Sequence, residues 1–416
     1  MAQTAEEKRA EINQRVDDAV ALKKPDRVPV FMQFTMFPAR CYGLTYQEAF
    51  ANQEKWLDVN ERAIEEYQPD LFFSPNTGVM VGVKVHEALG SHHLKLPGYG
   101  LGPNTGYQWV EDAYIKPEEY DLFLEDPGDF AIRVALPSSF RSLESFRSML
   151  PLRNLALSFT TPVLAPAYCT PEIAESLSAF ARAAEESARW IQGYAAFSQK
   201  MAARGFVEFG TAPTLAPFDC ISDMWRGMRG AMLDMYRCPD KLIKAQDILL
   251  PMMIGAAIGN AQASGEKRIF IPLHRGADGF MSVAQFEQFY WPHLKALIFA
   301  LIDAGLTPVP FFEGTYDQRL KYLRELPPGK VVAWFDRTDM ARAKDLVGDV
   351  VCLMGNMPVS LLQSGTVEEV RECTRKLCEV AGKDGGYIMT TNTTLDDCHP
   401  ELVHAWVDAT REFGQY

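Results

Sequence analysis

The chain has 416 residues, a formal net charge of −13 and an apolar fraction of 47%. That length fits one large domain or two average ones, and the apolar content supplies a large core, which excludes a disordered chain. The acidic balance argues against a nucleic-acid partner, because phosphate binding needs a basic face, and no run approaches the roughly 18 uninterrupted apolar residues of a membrane span.

The first predicted element is a helix over 4–24. Thr4 is placed to cap it, Glu6 and Glu7 fall in its first turn, and Ile12, Val16, Ala19 and Leu22 share one face. The N-terminus lacks the apolar core of a secretory signal. The eight cysteines, with no CxxC pair, are therefore expected as reduced thiols in the cytosol. After a Lys-Pro-Asp break, 28–36 reads as a first strand, 46–67 as a helix and 70–74 as a second strand. Residues 80–113 hold two short apolar segments between Gly and Pro turns. Residues 114–170 are rich in Pro and keep no period, so they read as a helix-containing excursion of the kind that covers or flanks a site.

Helix signal resumes at 171–204, a strand begins at Gly205, and helix 241–264 follows. Within that helix, 252–261 reads as buried. Strand 268–273 ends in His274, and helix 283–304 leads to the next strand. Three short apolar runs then end in polar clusters, at Glu313, at Asp336-Arg337-Thr-Asp339 and at Asn356, with a further strand from Tyr387 and a last helix over 400–412. Strand followed by polar turn, repeated, is how a β/α barrel gathers chemistry at one pocket. The fold expected is α/β, a single (β/α)8 TIM barrel over 25–416. An N-terminal helix, 1–24, packs on it, and an insertion lies at about 114–170.

The candidate site residues follow from that placement. Glu313, after two Phe residues at a strand end, suits a metal ligand or a general acid/base whose pKa apolar neighbours raise; a helix cap is the plain alternative. His274 suits a metal ligand or proton shuttle. Asp336 is a third catalytic candidate and Arg337 an expected substrate contact, with a buried Asp336–Arg337 pair as the structural alternative. Gln33, Asn76, Asp219 and Asn392 are expected substrate contacts, with turn chemistry as the alternative for the loop residues. Glu208, polar between apolar neighbours, needs a function or a buried partner. Cys220, Cys352 and Cys398 read as small buried hydrophobes rather than ligands. Phe312 and Trp334 belong to a dense set of strand-end aromatics, which favours a flat apolar ligand.

Several segments resemble the uroporphyrinogen decarboxylase superfamily. They are Ala21-Leu-Lys-Lys-Pro-Asp-Arg-Val-Pro-Val, Val83-Lys-Val-His-Glu-Ala-Leu-Gly, Gly355-Asn-Met-Pro with Gly365-Thr-Val-Glu-Glu-Val, and Pro400-Glu-Leu-Val-His-Ala-Trp-Val-Asp-Ala. The resemblance spans most of 8–413 and implies a (β/α)8 barrel. It implies one of two activities, tetrapyrrole decarboxylation or zinc-dependent methyl transfer with corrinoid proteins. Against the decarboxylases, Phe34 and Pro38 fall where pocket arginines belong, and Pro75 follows Phe73-Ser74 where an aspartate belongs. Against the methyltransferases, Phe311-Phe312-Glu313-Gly314 replaces the H-x-C-G ligand segment, and Thr391-Asn-Thr-Thr lacks the second cysteine.

The reading closest to the resemblance is a methyltransferase. It would move a methyl group from a small donor, of which a methoxyaromatic is one candidate, to cobalamin on a separate corrinoid protein. Glu313 and His274 would be catalytic and would be the residues to ligate a zinc. A homo-oligomer is possible, and no membrane partner is expected. The alternatives are a decarboxylase or lyase holding a carboxylate on Arg40, Arg275 or Arg337, and a silent barrel that binds a corrinoid or tetrapyrrole.

Overall fold

The computed structural model describes residues 3–156 and 158–416. Its frame is a ring of short parallel strands: β1 Phe31–Met32, β2 Leu71–Phe73, β3 Glu208–Phe209, β4 Arg268–Leu273, β5 Thr307–Phe312, β6 Val332–Phe335, β7 Cys352–Met354 and β8 Tyr387–Ile388. β1 to β3 form one parallel sheet and β4 to β8 another, each in chain order. A parallel bridge between Val30 and Met389 joins β1 to β8. At the other seam the Thr214 N–H donates to the Phe270 carbonyl at 2.9 Å. The fold is the (β/α)8 TIM barrel. The first strand is shorter than its apolar run because Pro29 has no N–H to donate and Thr35 turns the chain at φ +40°.

Alternation along the strands decides which side chains fill the barrel. Phe31, Phe73, Phe209, Phe270, Phe311 and Trp334 point inward with Val309, Val332, Cys352, Met354 and Ile388. The rings interlock, with centroids of Phe31 and Trp334 at 5.3 Å and of Phe311 and Trp334 at 4.2 Å. Met32, Phe72, Phe312 and Phe335 point the other way, into the layer under the helices. Two expected substrate contacts are thereby corrected. Phe312 packs against Tyr316 and Phe335 outside the barrel, because a period of two places it opposite Phe311. Trp334 is wholly buried in the packed floor, its Nε1–H donating to the Thr391 carbonyl at 3.1 Å.

The helix Ala5–Val20 closes the bottom of the barrel. Thr4 and Glu7 form a reciprocal capping box, and Ile12, Val16, Ala19 and Val20 join the inward cluster. Arg15 fixes its angle by donating to Asp26 and, at 2.7 Å, to buried Asp70 just ahead of β2. In the outer shell, the expected helix 46–67 is two, Tyr46–Ala51 and Gln53–Tyr67, because Asn52 breaks the first and caps the second. The helix Pro239–Ser264 runs through Pro251, and by length and composition alone it could cross a membrane. It packs on the barrel through Leu242, Ala245, Leu249, Ala257 and Ala261. Its Met252 is exposed, so 252–261 is not the buried stretch its composition suggests.

Two segments leave the barrel after β2. Residues 114–156 form short helical turns on the flank, where Phe123 and Phe130 pack on Trp225 and the Tyr120 hydroxyl donates to Asp234. Ahead of them a small sheet of Leu94–Pro97, Gly100–Leu101 and Gln108–Trp109 leads into a strap, 107–111, that reaches the strand ends.

Candidate active site

β4 delivers His274 to the barrel mouth, and the loop after β3 fixes how it stands there. Asp219, in the short helix Pro217–Cys220, is fully buried. It accepts the backbone N–H groups of His274 and Arg275, both at 3.0 Å, and the Tyr290 hydroxyl at 2.6 Å. Asp219 therefore holds the turn that carries the histidine; the expectation that it touches substrate fails on its burial. One turn on, in the π-helical stretch Ile221–Arg226, Asp223 meets His274 Nδ1 at 2.5 Å. Asp223 also accepts from Arg275 at 3.0 Å, and Ser222 accepts the Arg275 Nε–H at 2.8 Å.

With Nδ1 engaged, His274 turns Nε2 to the mouth, 3.5 Å from Oε1 of Glu313 at the end of β5. The two side chains keep 31% and 41% of their surface exposed, so both are open to a ligand. Burial disfavours the imidazolium, yet the Asp223 hydrogen bond and the charges of Glu313 and Asp219 outweigh it and push His274 up to about 9. Burial pushes Glu313 up to about 7, against the pull of His274, and Asp219 up to about 6. At neutral pH the mouth thus presents a protonated histidine beside a carboxyl group near its midpoint.

The other expected residues divide between the mouth and its scaffold. Asp336 accepts from the Gly314 N–H at 2.9 Å and from Asn392 Nδ2 at 2.8 Å, while Asn392 Oδ1 accepts from the Val359 N–H. Asp336 and Asn392 therefore tie β5, β6 and β8 together. Arg337 is 76% exposed and 3.8 Å from Asp336, so no buried pair forms. Asn356 donates to the carbonyls of Asp336 and Thr338, and Asp339 caps the next helix. Asn76 is half-buried in the turn Pro75–Thr77 after β2. Gln33 follows β1 on the inward side, nearly buried, with Oε1 unpaired. Glu208 lies on the outward side of β3, between inward Val207 and Phe209, and is not at the mouth.

Zinc does not fit this donor set. Structural or catalytic zinc takes three or four protein ligands. His274 and Glu313 supply two, and among the described residues no group of three His, Cys, Asp or Glu side chains is placed to hold a metal. Cys220, Cys352 and Cys398 are free, and burial raises each thiol.

Four residues at the mouth come from outside the expected set. Asp223 lies four residues after Asp219, a spacing of one helical turn that was there to be read. Tyr107, Trp109 and Glu111 arrive on the strap. Trp109 Nε1–H donates to the Asp223 carbonyl at 3.3 Å, and Glu111 accepts from Arg275 at 2.9 Å across 164 residues of chain. No local pattern signals such a contact.

Comparison with known proteins adds a family to this geometry. Residues 209–413 match the family described as Uroporphyrinogen decarboxylase (URO-D). That match covers just under half of the chain, its C-terminal part, and makes that part similar to the uroporphyrinogen decarboxylase family. A curated uroporphyrinogen decarboxylase from Syntrophotalea carbinolica is 25% identical over 210 residues, which are 50% of this chain and 60% of that protein. The chain thus matches less than two thirds of that relative's length. A solved methyltransferase from Methanosarcina mazei aligns over 97% of this chain and 98% of its own at a TM-score of 0.63 and 16% identity, a likeness of fold. Where the sequence departs from that family's pattern, the residues present have structural roles. Phe34 is buried in the strand–helix layer, and Pro75 opens a turn whose carbonyl accepts the Trp56 indole N–H.

Proposed function

We propose that the protein is a methyltransferase that takes a methyl group from a small methyl ether, an aromatic one by preference, and passes it to a corrinoid on a separate protein. One observation carries the reading: His274 Nε2 faces the mouth while Asp223 holds the other ring nitrogen and keeps the proton on up to about 9. An ether oxygen is a poor leaving group until it is protonated, so a positioned acid is the minimum such a reaction needs from the protein. The fold likeness to a methyltransferase and the family match support the same reading.

A reduced corrinoid would supply the nucleophile that accepts the methyl group. The open mouth, with His274 and Glu313 both partly exposed, fits its approach. As the methyl–oxygen bond breaks, its electron pair stays on oxygen and the Nε2 proton of His274 moves to that oxygen. Asp223 steadies the imidazolium beforehand and orients the ring throughout. Glu313, 3.5 Å away, relays a proton from solvent back to Nε2 after each transfer, a step that does not limit the rate. Decarboxylation on a bound carboxylate has less support. Arg275 is already engaged by Ser222, Asp223 and Glu111, and Arg40 by Asp397.

The test is a panel of methoxyaromatics incubated with the protein and cob(I)alamin. Methylcobalamin and the matching phenol should appear in equal amounts, and His274→Ala and Glu313→Gln should both lose turnover. Full activity in both variants would remove the site assignment. Carbon dioxide release without cobalamin would remove the reaction.

A further inference from the structure

The expected aromatic wall of the site, Phe312 and Trp334, lies in the packed layers of the barrel, yet the mouth is not without aromatic surface. The strap carries Tyr107 and Trp109 over the strand ends, and these rings remain 46% and 41% exposed. Each is packed by a neighbouring ring. His93 stacks on the Trp109 indole with centroids at 5.0 Å and planes 18° apart, while Nε1–H is spent on the Asp223 carbonyl. Phe50 meets Tyr107 edge-on at 6.4 Å. The phenol is in electrostatic reach of Asp396 and Glu313, both of which raise it further after partial burial.

The strap itself is anchored. Val110 N–H donates to the His93 carbonyl, and Glu111 bridges Arg275 and the Met228 N–H. Two rings on a fixed strap, each partly covered and partly open, stand over the acid pair. Exposed rings cost solvation unless something stacks on them.

We infer that Tyr107 and Trp109 are the binding surface for a flat aromatic ring, which enters between the strap and the strand ends with its ether oxygen toward His274. The inference rests on the methyl-transfer mouth being that of Glu313 and His274, and it names the residues that select the substrate class. Stacking supplies the affinity, and the ring rather than the hydroxyl of Tyr107 does it.

The experiment is equilibrium titration of the full chain, without any corrinoid, with 2-methoxyphenol and with catechol, read by tryptophan fluorescence and by calorimetry. Both phenols should bind, and Trp109→Leu should abolish most of the fluorescence change. Tyr107→Ala and Trp109→Leu should each weaken binding by about fivefold to tenfold, the range of one stacked ring pair, while Tyr107→Phe binds as the parent does. Equal affinity in parent, Tyr107→Ala and Trp109→Leu overturns the inference. So does a rise in KM for cob(I)alamin in these variants with aromatic binding unchanged, which would make the strap a docking surface for the acceptor. Aromatic binding without methyl transfer would sink the proposed reaction and leave the strap's role standing; methyl transfer from methanol with no aromatic binding would do the reverse.

Discussion

His274 reads as a proton donor because of what surrounds it, not because of its type. An unperturbed imidazole is mostly neutral at pH 7.5, and burial alone would make it more so. Asp223 reverses that, so Asp223→Asn should lower kcat by about 100-fold, the low end of a general-acid contribution, with KM nearly unchanged. Glu313 also ties stability to pH. Its folded pKa of about 7 lies above its ordinary value, so it favours the fold only while protonated, and that contribution is lost as pH rises through about 7. Glu313→Gln should therefore leave the melting temperature unchanged near pH 4 and raise it by roughly a degree or two at pH 8.5, modestly because the side chain is partly in solvent. Differential scanning calorimetry at the two pH values checks this. At this scale the strand-end positions of Glu313 and His274 were legible, since each ends an apolar run. Nothing local marked Asp336, Asn392 and Asp219 as scaffold, because the partners that consume their oxygens lie 22 to 71 residues away.

At the scale of elements, the C-terminal strands were legible and the N-terminal ones less so. β4, β5 and β6 are runs of four to six residues that end where their apolar patterns end. β1 and β3 are two residues each, too short for a pattern, and are set by pairing rather than local preference. The strap was invisible for the same reason: its sheet strands are two to four residues long and its anchors are tertiary. The turn after β4 shows how tightly one element can depend on another. A Cβ on Gly276 would lie 2.7 Å from the Tyr290 ring and 2.8 Å from the Tyr316 hydroxyl. Gly276→Ala should therefore push Tyr290 off Asp219, at a cost of about 1–3 kcal/mol measured by denaturant unfolding, and lower activity although no mouth residue is touched.

For the whole molecule, one arrangement separates stability from chemistry. The bottom of the barrel is closed by Ala5–Val20, with Arg15 and Arg27 on buried Asp70, while the top carries the exposed acid pair. Arg15→Leu should cost about 3 kcal/mol, the low end for breaking a buried pair, since Arg27 still serves Asp70. It should leave the rate per folded molecule unchanged. The architecture could be read from the chain because strand, polar turn and helix recur in order. The reaction could not, because Glu313 stands where the methyltransferase pattern it resembles has a thiolate, and the acid pair forms only when β4, β5 and the loop after β3 meet. The central claim, that His274 acts as an acid at this mouth, is tested most directly by the pH–rate profile of methyl transfer from 2-methoxyphenol to cob(I)alamin. The rate should hold to pH 8 and fall as pH passes through about 9, where His274 loses its proton, and His274→Gln should be slow with no such limb. A profile flat from pH 7 to about 10, or the same alkaline limb in His274→Gln, would contradict it.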